Sequence, residues 1–163
     1  KVHGISPTDA LTANSLAIVA LTLGCIFYGR LIDSLGSGPT FVLGSLLLAG
    51  ATYAFYHSLA AGMDQLIPLY MLAGFAVGIV GAVPYVMVNA FPPVVRFSGL
   101  SFSYNVAYAI FGGLTPMLVT LWMKNDVLAP SHYVVSLAGL GFVLGLWLWL
   151  RQRTRRQVTP QTA

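Results

Sequence analysis

The sequence predicts an all-α integral membrane protein with five transmembrane helices. Three observations predict it. Of 163 residues, 57% are hydrophobic, only 7% are charged and none is Glu, and the mean hydropathy is +0.80. A soluble domain carries roughly 25% charged residues, so this chain cannot wet a globular surface; its exterior suits hydrocarbon. Five apolar runs each approach the roughly 20 residues that a helix needs to span a bilayer. The runs are too long for strands and lack period-two alternation.

Segment 1–10 is polar and has no apolar stretch of signal-peptide type, and the chain reads as a piece of something longer. The first span covers about 11–28 and is preceded by Ser6, Pro7, Thr8 and Asp9, which supply helix-start chemistry. The second, third, fourth and fifth cover about 40–59, 66–91, 99–123 and 133–150. The connectors at 33–39 and 60–64, the Pro92-Pro93 turn and 124–130 are too short to hold a soluble domain. We therefore expect a membrane bundle over 1–150 and a polar basic tail over 151–163 without fixed structure.

The net charge of +4 does not point to nucleic acid. Arg151, Arg153, Arg155 and Arg156 cluster directly after an apolar run, as at the cytoplasmic end of a membrane span. Connectors alternate sides, which groups Arg30, Arg96 and those four against Lys1 and Lys124. The positive-inside rule then places the C-terminus in the cytoplasm and the N-terminus outside. Trp147 and Trp149 ahead of the arginines form an interfacial anchor. The second and fifth spans are mostly apolar and are expected to face lipid; the third and fourth are expected to face protein or water.

The fourth span carries the most distinctive pattern. Ser101, Tyr104, Tyr108, Gly112 and Thr115 recur at three- and four-residue steps along one helix face, with Asn105 at its edge. In lipid such groups need a partner helix or a wet cavity. The face therefore marks a solute pathway or a set of interhelical hydrogen bonds. In the third span Gly74 and Gly78 form a GxxxG step that permits close helix approach. Gly81 and Pro84 follow. Pro84 cannot donate to the carbonyl of Val80, so a kink is expected, and Gly81 and Pro84 make a candidate hinge. Packing explains the glycines equally well. Tyr85 and Asn89 lie one turn apart beyond the proline and extend the candidate pathway.

Other chemistry finds little support. Cys25 has no partner for a disulfide or a thiolate metal site and reads as a small core residue. His3, His57 and His132 sit near span ends, where wet interfacial histidines belong. No His, Cys, Asp or Glu cluster has metal-ligand spacing, and no phosphate loop follows a strand. The sequence thus implies neither an enzyme nor a bound cofactor or metal.

Two connectors carry a family resemblance. Gly29-Arg30-Leu31-Ile32-Asp33-Ser34-Leu35-Gly36 resembles the G-x-L-x-D-x-x-G signature of the major facilitator superfamily. The match extends to Gly29, Asp33 and Gly36; the usual basic residues are replaced by Ser34, Ser37 and Gly38. The stretch Phe91-Pro92-Pro93-Val94-Val95-Arg96-Phe97-Ser98-Gly99 resembles the metabolite:proton symporter branch. It is followed by Tyr104-Asn105 and by Phe111-Gly112-Gly113-Leu114-Thr115-Pro116. That branch includes proline/betaine, α-ketoglutarate, citrate and shikimate transporters. It often carries an acidic residue two places before Phe91, where Asn89 stands here.

The resemblance implies a partial major facilitator fold, with the five spans corresponding to helices eight to twelve of twelve. It implies a secondary transporter of the inner membrane that couples a small polar metabolite to protons by alternating access. H⁺ is then the coupling ion, and the partners are the solute, the lipid bilayer and an N-terminal half. Tyr104, Asn105 and Tyr108 are expected to line the cavity, with Tyr85, Asn89 and Asn14. Gly29, Arg30, Asp33, Gly36 and Arg96 are expected to act at the cytoplasmic gate. The chain alone is not expected to transport. The alternative is a small non-transporting membrane scaffold or regulatory subunit.

Overall fold

The computed structural model describes residues 7–62 and 66–158. Lys1, His3, Ser6 and Asp64 lie outside the described residues. Five long apolar helical rods run through the bundle, and the described residues contain no strand. The first rod is α1 (Pro7–Leu35) and the second is α2 (Ser37–Ala60). The third is made of α3 (Leu66–Val77), a 3₁₀ segment (Gly78–Ala82) and α4 (Val83–Ala90). The fourth is made of α5 (Arg96–Ala107), a π-helical segment (Tyr108–Gly112) and α6 (Gly113–Trp122). The fifth is α7 (Ala129–Val158). With connectors this short, consecutive rods alternate direction. One end of the bundle collects Arg30, Arg96, Arg151 and Arg153 and is called the arginine-rich end below.

Hydrocarbon outside the bundle offers no hydrophobic drive between helices, so close contact of small residues holds membrane helices together. Here that contact is made by glycine. A methyl group at Gly78 would sit 2.5 Å from the Gly24 carbonyl carbon and 2.7 Å from the Cys25 nitrogen. Gly74 lies in the same way against Ala17, and Gly81 faces the Cys25 side chain. The GxxxG step of the third rod is thus seated on α1. The core lies where α1, α2 and the third rod meet: Tyr28, Ile32, Phe41, Ile79 and Ala82 pack together there. A second small cluster joins Ala51 to Ala73 and Ala76.

The second rod departs from the expectation of a lipid-facing helix. Ser37, Gly38, Thr40, Phe41, Gly44, Ser45, Ala51, Thr52 and Phe55 are buried. They contact α1, the third rod and α7, while Leu43, Leu46, Leu47 and Tyr53 remain open. The reason is residue size: a stripe of Gly, Ser and Thr admits neighbouring backbones on one face, although both faces are lipophilic. Gly145 of α7 lies against Phe41 and Val42, and Gly141 against the Ser45 hydroxyl. The fourth rod is the opposite case, for none of its apolar stretch is buried.

The basic tail also departs from expectation. The helix does not stop near Leu150 but continues to Val158. The guanidinium of Arg151 lies 5.2 Å from the centre of the Trp147 ring and that of Arg153 lies 4.8 Å from Trp149. Each pair is one helical turn apart, so these cation–π contacts form only if the backbone stays helical.

Candidate functional site

The two rods expected to face protein or water are the two whose helices are interrupted, and both interruptions fall near the middle of the span. In the third rod the backbone tightens to 3₁₀ over Gly78–Ala82, directly before Pro84. Pro84 has no N–H to give the carbonyl of Val80, and tighter pairing absorbs the missing bond. In the fourth rod the backbone widens to a π turn over Tyr108–Gly112, directly before the stretch holding Pro116. Gly112 is the residue whose carbonyl Pro116 cannot bond and whose position its ring would crowd. Irregular backbone at membrane depth is tolerated where it is buried in protein or lines a cavity, and π turns recur at functional sites.

On the fourth rod Tyr104 and Tyr108 stack with ring centres 4.7 Å apart. The Asn105 amide donates to the carbonyl of Ser101 at 2.8 Å, which leaves its own carbonyl oxygen free to accept. Thr115 donates to the carbonyl of Phe111 and is hydrogen-bonded to the Tyr133 hydroxyl of α7. A cavity of about 460 Å³ opens beside this turn, lined by Tyr108, Phe111, Thr115, Pro116, Tyr133 and Leu137 among others. Pro116 lies inside α6, four residues after Gly112.

Asn89 donates to the carbonyl of Tyr85 at 2.8 Å, so both residues stand on α4 toward the arginine-rich end. Asn14 accepts a hydrogen bond from the Tyr70 hydroxyl at 3.1 Å, which ties the first rod to the third near the opposite end. Tyr70 stacks on Phe55 with ring centres 5.0 Å apart. Sequence reasoning missed Tyr70; its signal was a lone phenol near a span end. Among the described residues no hydrogen bond or ring contact joins Tyr104, Asn105 or Tyr108 to Tyr85, Asn89 or Asn14. These residues thus fall into three separate sets of hydrogen-bond and ring contacts among the described residues.

The connectors have distinct geometries. Between α1 and α2 a single residue, Gly36, turns the chain with φ 87° and ψ 171°, a region that is essentially glycine's alone. Its N–H bonds the carbonyl of Ile32 at 2.9 Å, and its carbonyl accepts from the Thr40 hydroxyl at 2.8 Å. Gly29 has open space where a side chain would stand. Arg30 and Asp33 are exposed and form no ion pair among the described residues. In the second connector the Arg96 guanidinium donates to the carbonyl of Phe91 at 3.3 Å. The Phe91 ring rests on Gly99, where an added methyl would meet it at 2.7 Å. Phe91, Arg96 and Gly99 thus brace one turn. At the opposite end His132 pairs with Asp126 at 2.9 Å and both are partly exposed, while His57 stacks on Tyr53 with ring centres 5.6 Å apart. Among the described residues no group of three or more His, Cys, Asp or Glu is placed to hold a metal ion.

No family model matches the chain, and no solved structure matches it. Curated relatives do. The proline/betaine transporter of Salmonella typhimurium is 28% identical over 140 residues, 80% of this chain and 28% of the relative. The inner membrane metabolite transport protein YhjE of Escherichia coli K12 is 28% identical over 159 residues, 94% of this chain and 35% of the relative. A Staphylococcus aureus protein provisionally named a proline/betaine transporter is 26% identical over 151 residues, 87% of this chain and 32% of the relative. The chain spans about a third of the length of the curated relatives it matches. The relatives are transport proteins, and with five apolar helical rods the likeness agrees with the major facilitator resemblance carried by the two connectors.

Proposed function

We propose that the chain is part of a secondary transporter that moves a small polar metabolite, a zwitterion such as proline or betaine or an organic acid, together with protons. The observation that carries this reading is the fourth rod. A face of Ser101, Tyr104, Tyr108 and Thr115 runs along a helix with no buried residue, through a π turn near mid-span. Hydrocarbon penalises such a face unless water or protein covers it. A solute path between this rod and further helices of the intact protein meets that need. The named functions of the relatives favour the same reading. In it the arginine-rich end is cytoplasmic by the charge rule, Asn105 and the two tyrosines face the solute, and Gly81 and Pro84 permit the third rod to bend.

The test is uptake by the intact protein in proteoliposomes, with labelled proline, betaine and dicarboxylates and a pH dye inside. Under an imposed inward proton gradient one of these solutes should accumulate, with faster lumen acidification than in its absence, and the accumulation should be lost when an uncoupler collapses the gradient. If no solute moves while the protein copurifies with another membrane protein, the chain belongs to a scaffold.

A further inference from the structure

The residue that replaces a usual basic residue in the first connector has a partner far away in the chain. The Gln152 amide donates to the Ser37 hydroxyl at 2.7 Å. Ser37 is only 6% exposed and begins α2, directly after the Gly36 turn. The Gln152 side chain also covers Gly36, for a methyl there would meet its Oε1 at 3.1 Å. One turn back on α7, the backbone of Trp149 lies against Gly38, close enough that no side chain fits at residue 38. Gly36, Ser37 and Gly38 are thus all met by a single turn of α7. That turn exists because the helix continues past Leu150, with the Arg151–Trp147 and Arg153–Trp149 stacks alongside.

We propose that Gln152 is a positioning residue that clasps the first connector to the last helix and holds the arginine-rich end in the conformation described here. The clasp rests on the transporter reading in one respect: there, the connector moves during alternating access, and the clasp weights that equilibrium. Ser37 and Gly38 in place of basic residues fit this arrangement. Small neutral groups there let α7 close onto the turn, and the neutral Gln152 amide bonds the Ser37 hydroxyl. The N-terminus of α2 carries partial positive charge. A carboxylate at 152 therefore keeps the bond, with the Ser37 hydroxyl now donating, whereas an aliphatic side chain loses it.

The experiment measures hydrogen–deuterium exchange over residues 30–42 of the intact protein in nanodiscs, alongside uptake. Loss of one net hydrogen bond raises local opening about fivefold. Gln152→Leu and Ser37→Ala should each speed exchange by about that factor, with the double variant no faster than either single one. Gln152→Glu should stay within about twofold of the parent. Unchanged exchange in Gln152→Leu, or additive effects in the double variant, overturns the clasp. So does failure of Gln152→Glu to retain protection while Gln152→Leu loses it. Where the parent protein takes up a solute, Gln152→Leu should change turnover and Gln152→Glu should restore it; faster exchange with unaltered turnover overturns the link to gating. If the parent moves no solute, the transporter reading falls, and the exchange data alone still decide the clasp.

Discussion

Replacing Gly78 by alanine tests whether glycine contact assembles this bundle. The substitution adds one methyl group. Its neighbours would be backbone: the Gly24 carbonyl carbon at 2.5 Å, the Gly24 Cα at 2.6 Å and the Cys25 nitrogen at 2.7 Å. Comfortable carbon contacts lie near 3.5–4.0 Å, so α1 and the third rod must separate by about 1 Å. No rotamer change relieves the clash, because none of the three atoms belongs to a side chain. Overpacking of this kind costs about 1–3 kcal/mol. Gly50 and Gly139 are the controls, since nothing lies within 4 Å of a methyl added at either. There alanine gains helix propensity, up to about 1 kcal/mol, with no steric cost. Thermal unfolding of the intact protein in detergent, followed by Cys25 thiol reactivity, reads both. Gly78→Ala should lower the midpoint and expose Cys25 earlier, while Gly50→Ala and Gly139→Ala should leave the midpoint unchanged or raise it. Equal shifts in all three variants would refute the close-contact account.

Three more outcomes follow from individual contacts. Tyr28 is 1% exposed and its hydroxyl has no hydrogen-bond partner among the described residues; Tyr28→Phe should keep or raise stability by about 1 kcal/mol, and a loss of that size in the unfolding assay would contradict the orphaned hydroxyl. The Asn14–Tyr70 bond should appear in a double-mutant cycle of Asn14→Ala and Tyr70→Phe as a coupling of about 0.6 kcal/mol, with strict additivity arguing against it. Pro84→Ala returns a backbone donor to the carbonyl of Val80; it should slow exchange across 78–84 and lower uptake turnover, and undiminished turnover would remove the hinge role.

Much of the architecture was legible because hydrocarbon imposes simple rules. Charge scarcity and run length gave five spans, and proline placement marked where the third helix is interrupted. Gly74 and Gly78 announced a close approach, though not the partner, which is α1 at Ala17 and Gly24. The partnering of the second rod was illegible to hydropathy. In lipid both faces of a helix are apolar, and only side-chain size separates the Gly38, Gly44 and Ser45 stripe from Leu43, Leu46 and Leu47. Gln152 was hidden differently: flanked by arginines it reads as tail, and only a helix extended by tryptophan stacks carries it to Ser37. The candidate solute face was legible as spacing along one helix. Its division from Tyr85, Asn89 and Asn14 was not, because spacing along separate helices says nothing about their mutual placement.

The central claim is that the face through Tyr104 and Tyr108 lines a wet path. Single cysteines at each position from 100 to 117 of the intact protein, made in a background with Cys25 and any other cysteine replaced by alanine, test it directly with a membrane-impermeant thiol reagent. The account predicts labelling at 101, 104, 108, 112 and 115, slowed by the transported solute, with 102, 106, 110 and 114 inert. Labelling of the second set in place of the first, or of neither, would contradict it.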